Sequence, residues 1–162
     1  EVYNQLAENI LADVKIKNNN VGFITIGDPM IYSSAIYILK RLSGKIKLGV
    51  VPAVSSFCAV AAKSNFPLCF EDKTLTVIPA TVGVEKIKNF LQFCDTLVIL
   101  KAYKNFNAIV KLITESGYEN NAIAVSNLGL PTEKVFPDFK SFAEIPPQYL
   151  TTIIVNKNWS LL

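Results

Sequence analysis

The sequence contains no histidine among its 162 residues. Histidine is the general base of Ser-His-Asp and Cys-His sites, and its imidazole is the commonest protein ligand for metals. Its absence therefore excludes both of those mechanisms, a histidine general base and imidazole metal ligands. We expect no metal site in this chain.

Cysteine is also scarce, with three residues at Cys58, Cys69 and Cys94. They show no Cys-x-x-Cys spacing, and each lies among apolar neighbours. These features favour buried, unpaired thiols in a reducing compartment over disulfides or a metal cluster. The sequence therefore predicts a cytoplasmic protein with free thiols.

Charged residues make up only 18% of the chain, and 16 Lys+Arg against 13 Asp+Glu leave a net charge of +3. The lysines are scattered, which is typical of a solvated surface and does not indicate a nucleic-acid partner. No apolar run approaches the length that spans a bilayer, so we expect no membrane segment. The first residues lack the basic leader of a signal peptide and read as helix, so we expect the chain to begin inside a domain.

What the sequence does contain is apolar residues, at 51%, which predicts a compact fold. The stretch 21–34 organises the first part of it. Residues 21–26 read as a buried strand, and Gly27-Asp28-Pro29 then opens a helix over about 30–42. Gly27 leaves the backbone open to close approach, Asp28 can accept N–H bonds, and Pro29 suits a first helical position. Open α/β sheets bind small molecules at such strand ends, although a plain strand-to-helix turn uses the same residues.

The remaining pattern predicts an α/β fold with two lobes. In the first lobe we expect helices over 2–15 and 55–62 and a parallel sheet with strands 21–26 and 47–51. A loop near residues 66–74 joins the lobes, and we divide the chain into domains 1–70 and 71–162. In the second lobe we expect a mixed sheet. Its predicted strands are 75–79, 96–100 and 121–126, its helices are 84–91 and 106–116, and an antiparallel end covers 133–136, 141–144 and 150–155, with Pro146-Pro147 at the turn.

Two motifs carry a resemblance to a known family. The string Ile24-Thr-Ile-Gly-Asp-Pro-Met-Ile-Tyr-Ser33, followed by Val51-Pro-Ala-Val-Ser-Ser56, resembles the tetrapyrrole methylases, S-adenosylmethionine-dependent enzymes of cobalamin and sirohaem synthesis. The tyrosine-serine continuation, the serine pair and Lys101 look most like the branch that methylates precorrin-2 or cobalt-factor II at C20. The family's early Gly-rich motif has no counterpart here, so we expect an N-terminally truncated member.

The resemblance implies a two-lobed fold, S-adenosylmethionine as cofactor, a small-molecule tetrapyrrole substrate and a homodimer. Matched position by position, the family's cofactor contacts fall on Ile26, Gly27, Asp28, Ile31, Ser55, Ser56, Lys101, Leu128 and Thr151. In our element assignment these residues lie at strand ends or turns. That placement is independent of the family, because strand ends are where an α/β crevice gathers its ligands.

Other interpretations of these residues remain open at this point. Ser55 and Ser56 also suit plain helix caps, and Lys101 suits a solvated strand end. The family usually has glycine where Ala53 stands, and alanine would be strained there if the position requires a positive φ. No catalytic residue is assigned, since Tyr32 and Lys101 are candidate bases by position only.

Two rival functions are also consistent with the sequence. One keeps the fold but methylates another tetrapyrrole position, ribosomal RNA or a protein; an RNA substrate would call for a concentrated basic face, which the scattered lysines do not supply. The other is a non-catalytic α/β module that binds a ligand. Binding of S-adenosylhomocysteine would distinguish the methyltransferases from that module.

Overall fold

The structure is a computed structural model that describes residues 1–136, 138–144 and 148–160. The chain divides into two compact units, a first unit of Glu1–Ser55 and a second unit of Ser56–Leu162. This division falls earlier in the chain than the domain boundary that we placed at residue 70, because the helix that begins at Ser56 packs on the sheet of the second unit. The boundary at residue 70 stays a prediction.

The first unit is built on two helices, α1 (Val2–Lys15) and α2 (Ala35–Leu42). The predicted helix over 2–15 is confirmed. Ala7 and Ile10 of α1 are buried with Ile38 and Leu42 of α2, because residues three or four apart share one face of a helix. This small core holds the two helices together.

The parallel sheet that we expected in the first unit is wrong. Residues 1–55 are all described and contain no strand at 21–26, at 47–51 or elsewhere. Apolar runs of this length become strands only where a neighbouring backbone pairs with them, and no ladder forms here. Ile24, Ile26 and Val51 are accordingly 93%, 89% and 83% exposed.

The second helix of the first unit begins later than predicted. The pattern placed its start near residue 30 with Pro29 at the first position, whereas α2 begins at Ala35. Tyr32 has φ 50°, a left-handed backbone that cannot belong to a right-handed helix. The Ser33 hydroxyl then accepts a bond from the Ala35 N–H at 3.2 Å, at the start of the helix.

The second unit alternates helices with strands in the predicted order, and most of the predicted elements are confirmed to within a few residues. Its elements are α3 (Ser56–Lys63), β1 (Leu75–Pro79), α4 (Val84–Phe93), β2 (Thr96–Leu100), α5 (Phe106–Glu115), β3 (Ala122–Ser126), β4 (Lys134–Val135), α6 (Phe139–Ala143) and β5 (Thr151–Asn156), with short 3-10 helices at Ala80–Val82 and Glu119–Asn121.

These strands form one mixed five-stranded sheet with the order β1-β2-β5-β3-β4. β1 and β2 are parallel, whereas β5 runs antiparallel to both β2 and β3. The predicted mixed sheet is therefore confirmed. Because β5 runs against its neighbours, its first residues lie at the same edge as the carboxyl ends of β2 and β3, where Leu100 pairs with Thr152 and Ser126 with Thr151.

Each face of the sheet carries its own apolar cluster. One face packs against α4, α5 and α6, with Ile87, Ile109 and Phe142 among the buried residues. The other packs against α3 through Phe57 and Val60. Strands β2, β3 and β5 are buried along their whole length, as expected for strands covered on both faces.

One predicted element of the second unit is wrong. We placed residues 141–144 in the antiparallel end, but they belong to α6 and its end. Asp138 begins this helix, because its carboxylate accepts bonds from the Ser141 N–H at 2.7 Å and from the Ser141 hydroxyl at 2.9 Å. The turn predicted at Pro146-Pro147 lies outside the described residues.

The three cysteines are unpaired, as predicted. Only Cys94 is buried, however, so the expectation that all three are buried is wrong. α3 turns Phe57 toward the sheet and leaves the neighbouring Cys58 on its exposed side, and Cys69 lies in a loop. Among the described residues, no helix is both long and apolar enough to cross a membrane.

Candidate functional site

Gly27 adopts a left-handed backbone in the first unit, with φ 76°. Residues with a β-carbon rarely adopt this conformation, so the turn depends on glycine. The Thr25 hydroxyl donates to the Gly27 carbonyl at 3.3 Å across the same turn. The positive φ is a reason for glycine at this position beyond the open backbone that the sequence argument gave for Gly27.

Asp28 ties this turn to the second sequence motif. Its Oδ1 accepts a hydrogen bond from the Met30 N–H at 2.8 Å, and its Oδ2 accepts one from the Ala53 N–H at 2.9 Å. The bonds from Ala53 and Met30 lower the pKa of the Asp28 carboxyl below its usual 3.8. Asp28 is therefore an ionised clamp that holds residues 27–30 against the Pro52-Ala53-Val54 segment.

The remaining predicted contacts of the first unit differ in exposure. Ile26 and Ile31 are 89% and 41% exposed beside the Gly27 turn. A cavity of about 490 Å³ lies within the same unit, and Gly27, Pro29 and Ala53 are among the residues that line it. Cavities of this size hold small molecules in other proteins. Ala53 itself does not have a positive φ, so alanine in place of glycine is unstrained.

Ser55 precedes α3 but does not cap it. Its side-chain oxygen is buried and has no hydrogen-bond partner among the described residues. The interpretation of Ser55 as a helix cap is therefore wrong. Ser56, the first residue of α3, is exposed in the second unit.

Lys101 and Thr151 lie together at one edge of the second unit's sheet. Lys101 follows β2, is exposed, and has φ 55°. Thr151 begins β5, and its carbonyl accepts a bond from the Ala102 N–H at 3.1 Å. Asn127, which follows β3, is also left-handed at φ 54°, and its N–H donates to the Leu150 carbonyl at 2.8 Å. Two sharp turns thus flank the start of β5.

A pair of hydroxyls fixes the strands at this edge. Thr151 donates its hydroxyl proton to the Gln148 carbonyl at 2.7 Å. Ser126 Oγ lies 2.7 Å from Thr151 Oγ1, so Ser126 must donate to Thr151, whose only hydroxyl proton is already used. Both residues are almost fully buried, at 2% and 1% exposed. The Thr151 side chain therefore orders the edge, and a ligand would meet the backbone there.

Leu128 lies in the loop that follows β3 and is held by two kinds of contact. It packs against the apolar cluster that includes Phe57 of α3. One residue further on, the Gly129 N–H donates to Glu133 Oε2 at 2.7 Å, and Glu133 Oε1 pairs with Lys63 Nζ of α3 at 3.1 Å. These contacts attach the Leu128 loop to the helix that begins with Ser56.

The predicted contacts therefore divide between the units. The first unit carries Ile26, Gly27, Asp28, Ile31 and Ser55, and the second carries Ser56, Lys101, Leu128 and Thr151. Within the second unit, the sheet brings Lys101 and Thr151 to one edge. The candidate bases Tyr32 and Lys101 both have left-handed backbones, at φ 50° and 55°. In the part of the chain that the structure describes, no group of His, Cys, Asp and Glu could hold a metal ion.

Comparison with known proteins decides the family. A family model described as Tetrapyrrole (Corrin/Porphyrin) Methylases matches residues 1–141. The chain belongs to the tetrapyrrole methylase family. It is 36% identical over 159 residues to a Salmonella typhimurium protein named cobalt-precorrin-2 C(20)-methyltransferase, an alignment that covers 98% of this chain and 67% of that protein.

Solved structures of this family share the fold. The methyltransferase CobJ superposes with a TM-score of 0.71 at 13% identity, covering 93% of this chain and 69% of that one. A Thermus thermophilus uroporphyrin-III C-methyl transferase, solved as a complex with S-adenyl homocysteine, gives 0.62 at 17% identity and covers 95% and 73%. The α/β tetrapyrrole methylase fold is thus confirmed, and this chain spans about two thirds of the length of such relatives.

Sequence reasoning missed several residues of the site. In the sequence, Ala53 stands out only as a departure from glycine, although its N–H donates to Asp28. Nothing in the sequence singles out Ser126, because Thr151, whose hydroxyl it contacts, lies 25 positions away. No local sequence signal could have found these pairs.

Proposed function

We propose that this protein is an S-adenosylmethionine-dependent C-methyltransferase of cobalamin biosynthesis that methylates a reduced tetrapyrrole, precorrin-2 or cobalt-factor II, at C20. The observation that carries the proposal is the Asp28 clamp. It joins the two motifs through which the chain resembles the family, the Gly27 turn and the segment leading to Ser55 and Ser56. The identity with the Salmonella relative supports the choice of substrate and carbon.

The residues of the first unit fit the cofactor on two counts. The left-handed Gly27 has no β-carbon, so a ligand can approach its backbone closely. The buried Ser55 hydroxyl has no partner among the described residues, and a buried hydroxyl without a partner costs free energy that a bound polar group offsets. We propose Ile26, Gly27, Asp28, Ile31 and Ser55 as the cofactor contacts of this unit, with Asp28 positioning the others.

In the second unit we propose Ser56, Lys101, Leu128 and Thr151 as cofactor contacts. When bound, S-adenosylmethionine supplies an activated methyl group, so the chain needs no metal or strong acid for the transfer. The work left to these residues is to orient the reacting carbon and to exclude water. The left-handed turns at Lys101 and Asn127 and the Ser126 to Thr151 bond make this edge rigid, as orientation requires. We propose a cytoplasmic homodimer as the working form.

The experiment that tests the proposal is a methyl-transfer assay with the full-length protein. Precorrin-2 and cobalt-factor II are each incubated with S-adenosylmethionine, and the products are analysed by mass spectrometry and NMR. We expect one added methyl group, located at C20, on at least one of the two substrates. Methylation at another carbon would place the protein elsewhere in the family, and transfer to neither substrate would contradict the proposal.

A further inference from the structure

The turn that follows β2 is held at both ends. Lys101 opens it with φ 55° and Asn105 closes it with φ 58°; this left-handed region is unfavourable for lysine, whereas asparagine tolerates it. The Lys104 N–H donates to the Lys101 carbonyl at 3.1 Å within the turn. The Asn105 side-chain amide donates to the Ala80 carbonyl at 3.2 Å and anchors the turn to the end of β1. Strain of this kind persists where surrounding bonds impose it, and functional turns often show it.

This turn presents an aromatic and cationic surface. The rings of Tyr103 and Tyr149 lie 5.0 Å apart between centroids and are tilted by 47°. Lys104 Nζ lies 5.2 Å from the Tyr103 ring centroid. Tyr149 is 62% exposed, so much of its ring remains open to a ligand. Lys101 and Lys104 are exposed and form no ion pair with an acid of the described residues.

We propose that Tyr103, Lys104 and Tyr149 form a binding site for a conjugated ring system that carries carboxylates. Tyr149 stacks against the ring, since aromatic faces favour offset stacking, and Tyr103 supports Tyr149 from the side. Lys104, positioned over the Tyr103 ring, pairs with a carboxylate on the rim. The identity of the ring as an acidic tetrapyrrole rests on the proposed function, and the site then gives substrate contacts to the second unit.

The site is tested with uroporphyrin, a stable planar tetrapyrrole with carboxylate side chains, titrated into the full-length protein and followed by its absorbance. Lys104→Gln removes the cation, and Tyr149→Leu removes the ring. We expect each to weaken uroporphyrin binding, by about fivefold for the exposed charge and about two- to tenfold for the ring. Lys88→Gln, on the exposed side of α4, is the matched control and should bind as the parent does.

Two further measurements distinguish an effect on the carboxylate contact from an effect on cofactor binding or on folding. Coproporphyrin has the same ring with fewer carboxylates, so the loss caused by Lys104→Gln should be smaller with it than with uroporphyrin. S-adenosylhomocysteine affinity and thermal unfolding, measured on the same variants, should not change. If the parent fails to bind S-adenosylhomocysteine, the proposed function fails, whatever the porphyrin result.

The inference itself is overturned by any of three results with uroporphyrin. The parent protein does not bind it, the Lys104→Gln and Tyr149→Leu variants bind it as tightly as the parent does, or Lys88→Gln weakens binding as much as Lys104→Gln. The last result would mean that binding reflects the general positive charge of the chain.

Discussion

At the scale of single residues, the turn at Gly27 in the first unit requires glycine. Its φ of 76° is costly for a residue with a β-carbon, by about 1–2 kcal/mol. We expect Gly27→Val to lower the free energy of unfolding by at least that amount, because valine is branched at the β-carbon. Asparagine tolerates the left-handed region better, so Gly27→Asn is the matched control and should cost less. Equal losses in chemical denaturation would contradict a conformational role for Gly27.

Asp28 is the second residue whose role can be tested separately. Asparagine keeps the shape but offers one acceptor oxygen, so its amide N–H₂ would face the N–H of either Met30 or Ala53. We expect Asp28→Asn to lower the thermal midpoint and to weaken S-adenosylhomocysteine together. Asp72→Asn, at an exposed aspartate beside Lys73, is the control and should change neither. Weaker binding without any change in the midpoint would contradict the positioning role of Asp28 and leave it a cofactor contact only.

At the scale of elements, the two edges of the second unit's sheet at which its strands begin and end have different roles. The edge with Lys101 and Thr151 carries the candidate site. At the opposite edge, Asp95 accepts bonds from the Thr74 N–H at 2.9 Å, the Thr74 hydroxyl at 2.8 Å and the Asn158 amide at 3.2 Å. Asp95 thereby joins the starts of β1 and β2 to the residues that follow β5, and its role is structural.

This network predicts a pH dependence of stability. The bonds from Thr74, and then from Asn158, lower the pKa of Asp95 from 3.8 to about 2. Because the pKa of Asp95 is lower in the folded protein than in the unfolded chain, the ionised carboxylate stabilises the fold at pH values above its unfolded-state pKa. This stabilisation is lost as the pH falls through the folded-state pKa. We expect the thermal midpoints of the parent and Asp95→Asn to differ most above pH 3.8 and to converge toward pH 2. A difference independent of pH would contradict the ionised network.

Elements also show how far the sequence could predict this fold. β2 and β3 were predicted because fully buried strands leave continuous apolar runs that a single sequence displays. The runs at 21–26 and 47–51 look the same locally, but strand formation depends on a pairing partner that the run itself does not encode. The predicted start of α2 was wrong because the left-handed backbone of Tyr32 leaves no local signal in the sequence.

The candidate site shows the same difference between features that are local in the sequence and contacts that the fold creates. Gly27 and Asp28 could be predicted because a turn between apolar segments favours these residue types. Their partners could not, since the bond from Asp28 to Ala53 and the contact of Ser126 with Thr151 each span 25 residues. Single residues of the site were therefore visible in the sequence, whereas the pairs that position them required the structure.

At the scale of the whole molecule, membership of the tetrapyrrole methylase family and the proposed methyl transfer both require that the protein binds the cofactor. The most direct measurement is a calorimetric titration of the full-length protein with S-adenosylhomocysteine. The account predicts saturable binding that Asp28→Asn weakens. No binding at about 1 mM ligand, which corresponds to a binding free energy weaker than about −4 kcal/mol, would contradict it.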